Sequence, residues 1–255
     1  MKLVLRFLVP FLCIFSLTAC GVQGSYTDQL PDPADLSDPR SFEGVSDVKG
    51  FDEIEPVTDK AEPALPVELT DADGNDVTVT DASRILALDI YGTYTNTLSG
   101  LGLADNIVGR TVSSTEPNLA DLPVVTEGGH NINVEAVLEL QPTLVIADHS
   151  IGPRDAIDQI RAAGVTTVVM EPERTIDSVG EDITTLGDAL GLPDEARELA
   201  DRSTKEIDEA KEAIKKLVPD DPMRMAFLYA RGNGGVFFIM GDGTGAQDLI
   251  EGIGG

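Results

Sequence analysis

The residues whose types and positions suggest chemistry in this 255-residue chain are two histidines, one tyrosine and one arginine. His130 sits in Thr126-Glu127-Gly128-Gly129-His130-Asn131-Ile132-Asn133, where two glycines make a loop and Asn131 or Asn133 can cap a following helix. His149 lies in a second loop, Ala147-Asp148-His149-Ser150. Further on, Tyr229-Ala230-Arg231 falls in a strand-like stretch. Residues i and i+2 of a strand share a face, so phenol and guanidinium can point the same way. A nearby positive charge favours the phenolate, a hard oxygen donor suited to ferric iron. The ordinary alternatives stay open: a satisfied histidine, or a core tyrosine beside a surface arginine.

Other chemistries find no support. A nucleophilic triad needs nucleophile, base and orienter together, and no Gly-x-Ser-x-Gly elbow is present. A structural zinc site wants four nitrogen or sulfur ligands, and the two cysteines, Cys13 and Cys20, both lie at the extreme N-terminus. Asp242-Gly243-Thr244-Gly245 lacks the Lys-Ser/Thr ending of a phosphate loop and reads as a turn. The chain reads as a binding protein and not an enzyme. With 18 Lys+Arg against 45 Asp+Glu and a formal charge of −27, it carries no basic surface for nucleic acid.

The elements that must position these residues alternate. Val67-Glu68-Leu69-Thr70 and Val77-Thr78-Val79-Thr80 flank an Asp/Gly turn and predict a hairpin. Strands are predicted at 84–88, 106–109, 143–147 and 166–170. Helices are predicted at 93–102, capped by Thr93 or Thr95, and at 133–140, 156–163 and 176–190. Such alternation means a mostly parallel sheet covered on both faces, with ligands at the loops beyond the strands' carboxyl ends. Those loops are 89–94, 111–117, 148–153 and 171–175.

Residues 193–218 differ. Ala196, Leu199, Ser203, Ile207, Ala210, Ile214 and Leu217 recur at three- and four-residue steps. Glu198–Arg202, Asp201–Lys205 and Glu212–Lys216 stand at i, i+4 on the other faces. This predicts a long helix acting as a stiff strut between two lobes, with a new strand at 225–229. A lobe below about 40 residues rarely stands alone, so the second lobe is expected to be incomplete in this chain.

The N-terminus reads as an export signal. Lys2 and Arg6 precede an apolar core, and Leu17-Thr18-Ala19-Cys20 is similar to a bacterial lipobox, in which the cysteine becomes the lipidated first residue. Residues 20–64, rich in Pro, Asp, Ser and Gly, predict a disordered acidic tether. The expected organisation is signal peptide 1–19, lipidated Cys20 and tether 20–64, an N-terminal α/β lobe 65–192, interlobe helix 193–218 and the start of a C-terminal lobe at 219–255.

Lipobox, tether, Arg84-Ile85-Leu86-Ala87-Leu88, the segments 101–110 and 133–146, and the strut together resemble the long-helix, class III substrate-binding proteins of bacterial ABC importers for haem, ferric siderophores and cobalamin. Gly128-Gly129-His130-Asn131 and Tyr229-x-Arg231 resemble the haemin-binding lipoproteins of HmuT type within that class. The resemblance implies a two-lobed α/β fold, with ferric haem held in the cleft. It implies His130 and Tyr229 as axial iron ligands from opposite faces, with Arg231 supporting the tyrosinate. It offers Tyr91, Tyr94 and Met170 as porphyrin contacts, and Arg110, Arg154 or Arg174 as propionate partners. Glu135 falls where the first-lobe glutamate docks onto the permease. The implied partners are an ABC permease and ATPase, at the extracytoplasmic face of the cell membrane; a siderophore or cobalamin receptor is the alternative.

Overall fold

In a computed structural model, residues 41, 43–44, 54–128, 131–218, 221, 223–231, 236–241 and 245–255 are described. Four parallel strands form the central sheet, in the order β4-β3-β7-β8: β3 (Ile85–Leu88), β4 (Ile107–Gly109), β7 (Leu144–Ala147) and β8 (Thr166–Val169). Every residue of β3 and β7 is buried, as expected of a parallel sheet covered on both sides.

The pleat divides these residues between two cores. Ile85, Ala87, Leu144, Ile146 and Val168 face one core. On that side lie α1 (Thr93–Gly100), α4 (Val179–Ala189) and the start of α5 (Pro193–Lys215). Leu86, Leu88, Val145, Ala147 and Val169 face the other, against α2 (Val134–Glu139) and α3 (Arg154–Ala162). Ile85↔Leu144 through Leu88↔Ala147 is the central register; a one-residue slip would exchange the two cores.

Outside the sheet, β1 (Val67–Thr70) and β2 (Asp76–Val79) form the predicted hairpin. Its turn docks on β8 through the Ala72 amide and the Val169 carbonyl, 2.8 Å apart. Buried Asp71 pairs with Arg161 at 2.8 Å, and Asp73 pairs with Arg154 at 2.7 Å. A small second hairpin, β5 (Thr126–Glu127) with β6 (Asn131–Ile132), brackets the loop carrying His130. β9 (Phe227–Arg231) pairs with β10 (Val236–Met240), and α6 (Ala246–Gly252) ends the chain.

Three expectations are corrected. The tether ends earlier than residue 64: Val57 and Ala61 donate backbone hydrogen bonds to Gly100 and Gly102, Ala64 donates to Gly191, and Ala61 is buried. Apolar residues at 57, 61 and 65 fix this stretch to the lobe. The start of α1 is not capped by Thr93 or Thr95. Gly92 occupies the cap position at φ 75°, and the carboxylate of Asp89 accepts from the Thr93 amide at 2.8 Å. Along α5, Arg202 donates to the Glu55 carbonyl at 2.6 Å, Lys205 pairs with Glu209, and Glu212 pairs with Lys215. The predicted i, i+4 partners Glu198, Asp201 and Lys216 are not used in these pairs.

α4 and α5 cross closely at Gly187, where an added Cβ would lie 2.1 Å from the Ala196 Cβ. Overpacking costs about 1–3 kcal/mol, and helix propensity returns at most about 1 kcal/mol. Gly187→Ala is therefore expected to lower stability by about 1–2 kcal/mol, read as a lower urea midpoint at unchanged slope.

Candidate functional site

The loops beyond β3, β4, β7 and β8 meet at the carboxyl edge of the sheet. The β5–β6 hairpin is clasped there from two sides. The Val112 amide, in the loop after β4, donates to the Thr126 hydroxyl at 3.1 Å. The Ile132 amide donates to the Gly152 carbonyl, in the loop after β7, at 2.8 Å. Asn133 then caps α2, accepting from the Ala136 amide at 3.0 Å, and its side-chain amide donates to Glu127 at 2.6 Å.

Beneath the edge lies a polar network. Asp89 and Asp148 follow β3 and β7 directly, and both are fully buried. Arg174, from the loop after β8, donates to Asp148 at 2.6 Å. The phenol of Tyr94 donates to the same carboxylate oxygen at 3.0 Å, and Arg174 lies 4.6 Å from its ring centroid. The other oxygen of Asp148 accepts from the amide and hydroxyl of Ser150, and that hydroxyl accepts from the Ile90 amide. Three loops with no regular backbone pairing are thereby locked together.

Electrostatics follow from burial. Desolvation pushes the Asp89 carboxyl up to about 6; the amides of Thr93 and Tyr91 and the charge of Arg174 pull the other way, while Asp148 adds to the rise. Burial, with Asp148 next to it, raises Tyr94 far above the ordinary phenol range and keeps it neutral. For Arg174, burial works against the charge, but Tyr94 and Asp148 outweigh it and the guanidinium stays protonated. Nothing in this network resembles a nucleophile with its base. Among the described residues no three His, Cys, Asp or Glu side chains gather to hold a metal ion.

The predicted site residues separate on this background. His130 and Cys20 lie outside the described residues. Tyr229 and Arg231 occupy alternate positions of β9, with Tyr229 opposite Phe238 and Arg231 opposite Val236. Glu135 is exposed in the first turn of α2. Tyr94 and Met170 are buried in the core and do not face the edge, whereas Tyr91 is 59% exposed. Arg174 is committed to Asp148, and Arg110 is committed to the carbonyls of Thr111, Ser114 and Ala120. Arg154 alone of the three proposed propionate partners leaves most of its side chain (66%) in solvent while it pairs with Asp73. His149 contacts Asp73 at 2.8 Å and serves the docked hairpin turn. Sequence reasoning missed Asp89 and Asp148. Their signal is a buried apolar strand ending in aspartate, seen twice, in Leu86-Ala87-Leu88-Asp89 and Val145-Ile146-Ala147-Asp148.

A parallel sheet whose loops gather at its carboxyl edge, followed by a long helix, has counterparts among known proteins. Residues 90–255 match the periplasmic binding protein family, and the chain belongs to it. This is a family of binding proteins that work outside the cytoplasm. Among solved structures, heme binding protein HmuT is 63% identical with a TM-score of 0.84, over 86% of this chain and 71% of that one. Forms of HmuT with a histidine, a tyrosine or an arginine replaced by alanine match equally well. Among curated relatives, an ABC transporter substrate-binding lipoprotein of Bacillus subtilis, YvrC, is 30% identical over 159 residues, 62% of this chain and 50% of its own. A cobalamin-binding protein of Halobacterium salinarum is 30% identical over 196 residues, 75% of this chain and 50% of its own. The chain thus spans about half the length of these curated relatives. Among the described residues, no helix is long and apolar enough to cross a membrane.

The raised Asp89 pKa has a testable sign. Between its ordinary 3.8 and about 6, the folded state keeps a proton that the unfolded chain releases. Stability from this group is therefore lost as pH rises through that window, by about 3 kcal/mol in total. Asp89→Asn keeps an acceptor for the Thr93 amide and removes the titration. Its stability relative to wild type is expected to improve by about 2 kcal/mol from pH 4 to pH 7 in denaturant titrations; a difference that does not vary with pH would refute the assignment.

Proposed function

We propose that this protein captures ferric haem outside the cytoplasm and delivers it to an ABC importer, held at the membrane by lipid on Cys20. His130 and Tyr229 are the axial ligands, and Arg231 holds Tyr229 as tyrosinate. The observation that carries this reading is the match to HmuT, joined to a shared spacing. In HmuT the replaced tyrosine lies as far beyond the replaced histidine as Tyr229 lies beyond His130 here, and in both chains the arginine follows two residues later. Histidine and tyrosine are both established haem ligands, and the described hairpin strands that flank position 130 in sequence are clasped at the ligand edge. Glu135, exposed and negative at the start of α2, is the first-lobe contact for a cationic surface of the permease.

The similarity to a cobalamin-binding protein supports a second reading, in which the same edge receives a corrinoid. Absorption titration of the mature protein with haemin decides between them. Wild type is expected to give a saturable Soret band. His130→Ala and Tyr229→Ala should each shift that band and weaken binding about tenfold or more, a loss of about 1.4 kcal/mol or more. A haemin spectrum indifferent to both variants, with saturable cyanocobalamin binding, would replace haem with the corrinoid. Glu135→Ala should bind haemin as wild type does yet slow haem-dependent growth of the producing cell.

A further inference from the structure

Two buried carboxylates lie beside one guanidinium beneath the sheet's carboxyl edge, and they are not served equally. Asp148 receives Arg174 at 2.6 Å and the Tyr94 phenol at 3.0 Å on one oxygen, and the Ser150 amide at 2.8 Å on the other. Asp89, at the end of the adjacent strand, is as deeply buried. Its Oδ2 accepts from the Thr93 amide at 2.8 Å. Among the described residues no hydrogen-bond partner reaches its buried Oδ1; the Tyr91 amide favours the ionised form from outside bonding geometry. An unpaired buried acceptor is costly, and more so when ionised. A proton on Oδ1 relieves that cost, and so would a cationic donor brought to it. Arg174 is a cation whose charge already acts on Asp89. Its Nη2 is given to Asp148, while its Nη1 makes a long 3.4 Å bond to the Pro172 carbonyl.

We infer that Asp89 and Arg174 form a proton-operated switch: with Asp89 neutral the guanidinium rests on Asp148, and loss of the Asp89 proton to solvent draws it to a position shared by both carboxylates. The groups around the pair allow this. Tyr94, from α1, stays neutral and offers no rival charge. Asp182, from α4, has its own carboxyl raised by burial and is drawn toward ionisation by the same arginine. Asp148, at the end of β7, keeps the Tyr94 and Ser150 donors if the arginine is shared. Burial places the Asp89 titration at about 6, a value that ordinary changes of external pH cross. Movement of this arginine is felt beyond the pair. Its guanidinium carbon lies 4.6 Å from the Tyr94 ring centroid and 5.7 Å from that of Tyr91. Its backbone carbonyl adjoins the start of α6, where a Cβ on Gly245 would lie 3.2 Å away. One proton thereby bears on the loops after β3 and β8 and on α6 together. The switch belongs to the unliganded edge and is independent of which ligand that edge receives.

A buried acid that merely titrates would leave the arginine where it is, so the experiment reads both partners. The chain has no Trp, and the near-ultraviolet circular dichroism of its tyrosines reports the rings that Arg174 stacks on. That band, the Asp89 carboxyl-carbon resonance and the Arg174 Nε–H resonance are followed in the full chain from about pH 4 to about pH 8. The two resonances are assigned by their loss in Asp89→Asn and Arg174→Lys; should the lysine variant fail to fold, through-bond correlation to the Arg174 backbone assigns the second. All three signals are expected to move together, as one proton leaves, with a midpoint near 6. In Asp89→Asn, which keeps an acceptor for the Thr93 amide, the tyrosine band and the Arg174 resonance are expected to lose that transition. An Asp89 carboxyl that titrates while the Arg174 resonance and the tyrosine band hold still would overturn the switch and leave only a buried acid. A carboxyl that does not titrate in this range, or an Arg174 transition that survives in Asp89→Asn, would overturn it as well.

Discussion

The ion pair of Arg174 with Asp148 is the constraint on which the ligand edge depends. Two carboxylates, Asp89 and Asp148, end neighbouring strands in full burial, and among the described residues the Arg174 guanidinium is what offsets their charge. Replacing such a pair by apolar groups can be neutral, but removing one partner leaves a stranded charge and costs several kcal/mol. The pair persists because its oxygens do other work. They hold Tyr94, Ser150 and, through Ser150, the Ile90 amide, while Asp89 holds the start of α1. Loops lack the repeating backbone bonds of helix and sheet. Buried carboxylates supply acceptors that can serve several amides from different loops at once.

The same logic distributes the scarce cations. Against 45 acidic residues the chain has 18 Lys+Arg, and much of the arginine is turned inward or onto the protein's own backbone. Arg84 binds the carbonyls of Leu140 and Gln141 where α2 ends, and Arg110 binds three carbonyls after β4. Arg161 meets the buried Asp71. Arginine used this way replaces missing backbone donors with a rigid fork. Its consequence is an outer surface still more acidic than the composition suggests. Anionic lipid repels such a surface, so charge attraction would not hold it at a membrane.

How much of this was legible in the residues depended on the range of the interaction. Strands 85–88, 144–147 and 166–169 announce themselves as apolar runs between turns, because burial on both faces leaves no polar position. The asparagine cap of α2, open between Asn131 and Asn133 in sequence and made by Asn133, and the turn between β1 and β2 are local chemistry, and both are legible. Elements that hang on distant partners did not. The stretch at 54–64 has tether-like composition, and long-range partners bind it down: the packing of Val57, Ala61 and Leu65, backbone bonds to Gly100, Gly102 and Gly191, and the Arg202 guanidinium on the Glu55 carbonyl. The cap of α1 comes from Asp89, in the preceding strand end, and no helix-start rule looks there. Likewise Tyr94 and Met170 were plausible ligand contacts from loop position alone, and side-chain packing decided against them. Arg174 reads as a free cation in sequence and proves to be the most committed one.

Pre-organisation joins these strands of argument to binding. A hairpin clasped through the Thr126 hydroxyl and the Ile132 amide need not be ordered when a ligand arrives, so little conformational entropy opposes the first contact. Among the described residues no such clasp ties β9, which carries Tyr229, to the sheet edge; β9 pairs with β10. On the proposed function the two iron ligands therefore enter with different histories, one on a finished platform and one on a separate hairpin beyond a 23-residue helix. On that reading, capture can start on the platform. The bond to the phenolate then becomes the increment that favours a closed arrangement over an open one, because only closure brings it within reach. A receptor that must later surrender its ligand gains from that division: opening the lobes removes one bond at a time and leaves the platform intact for the next cycle.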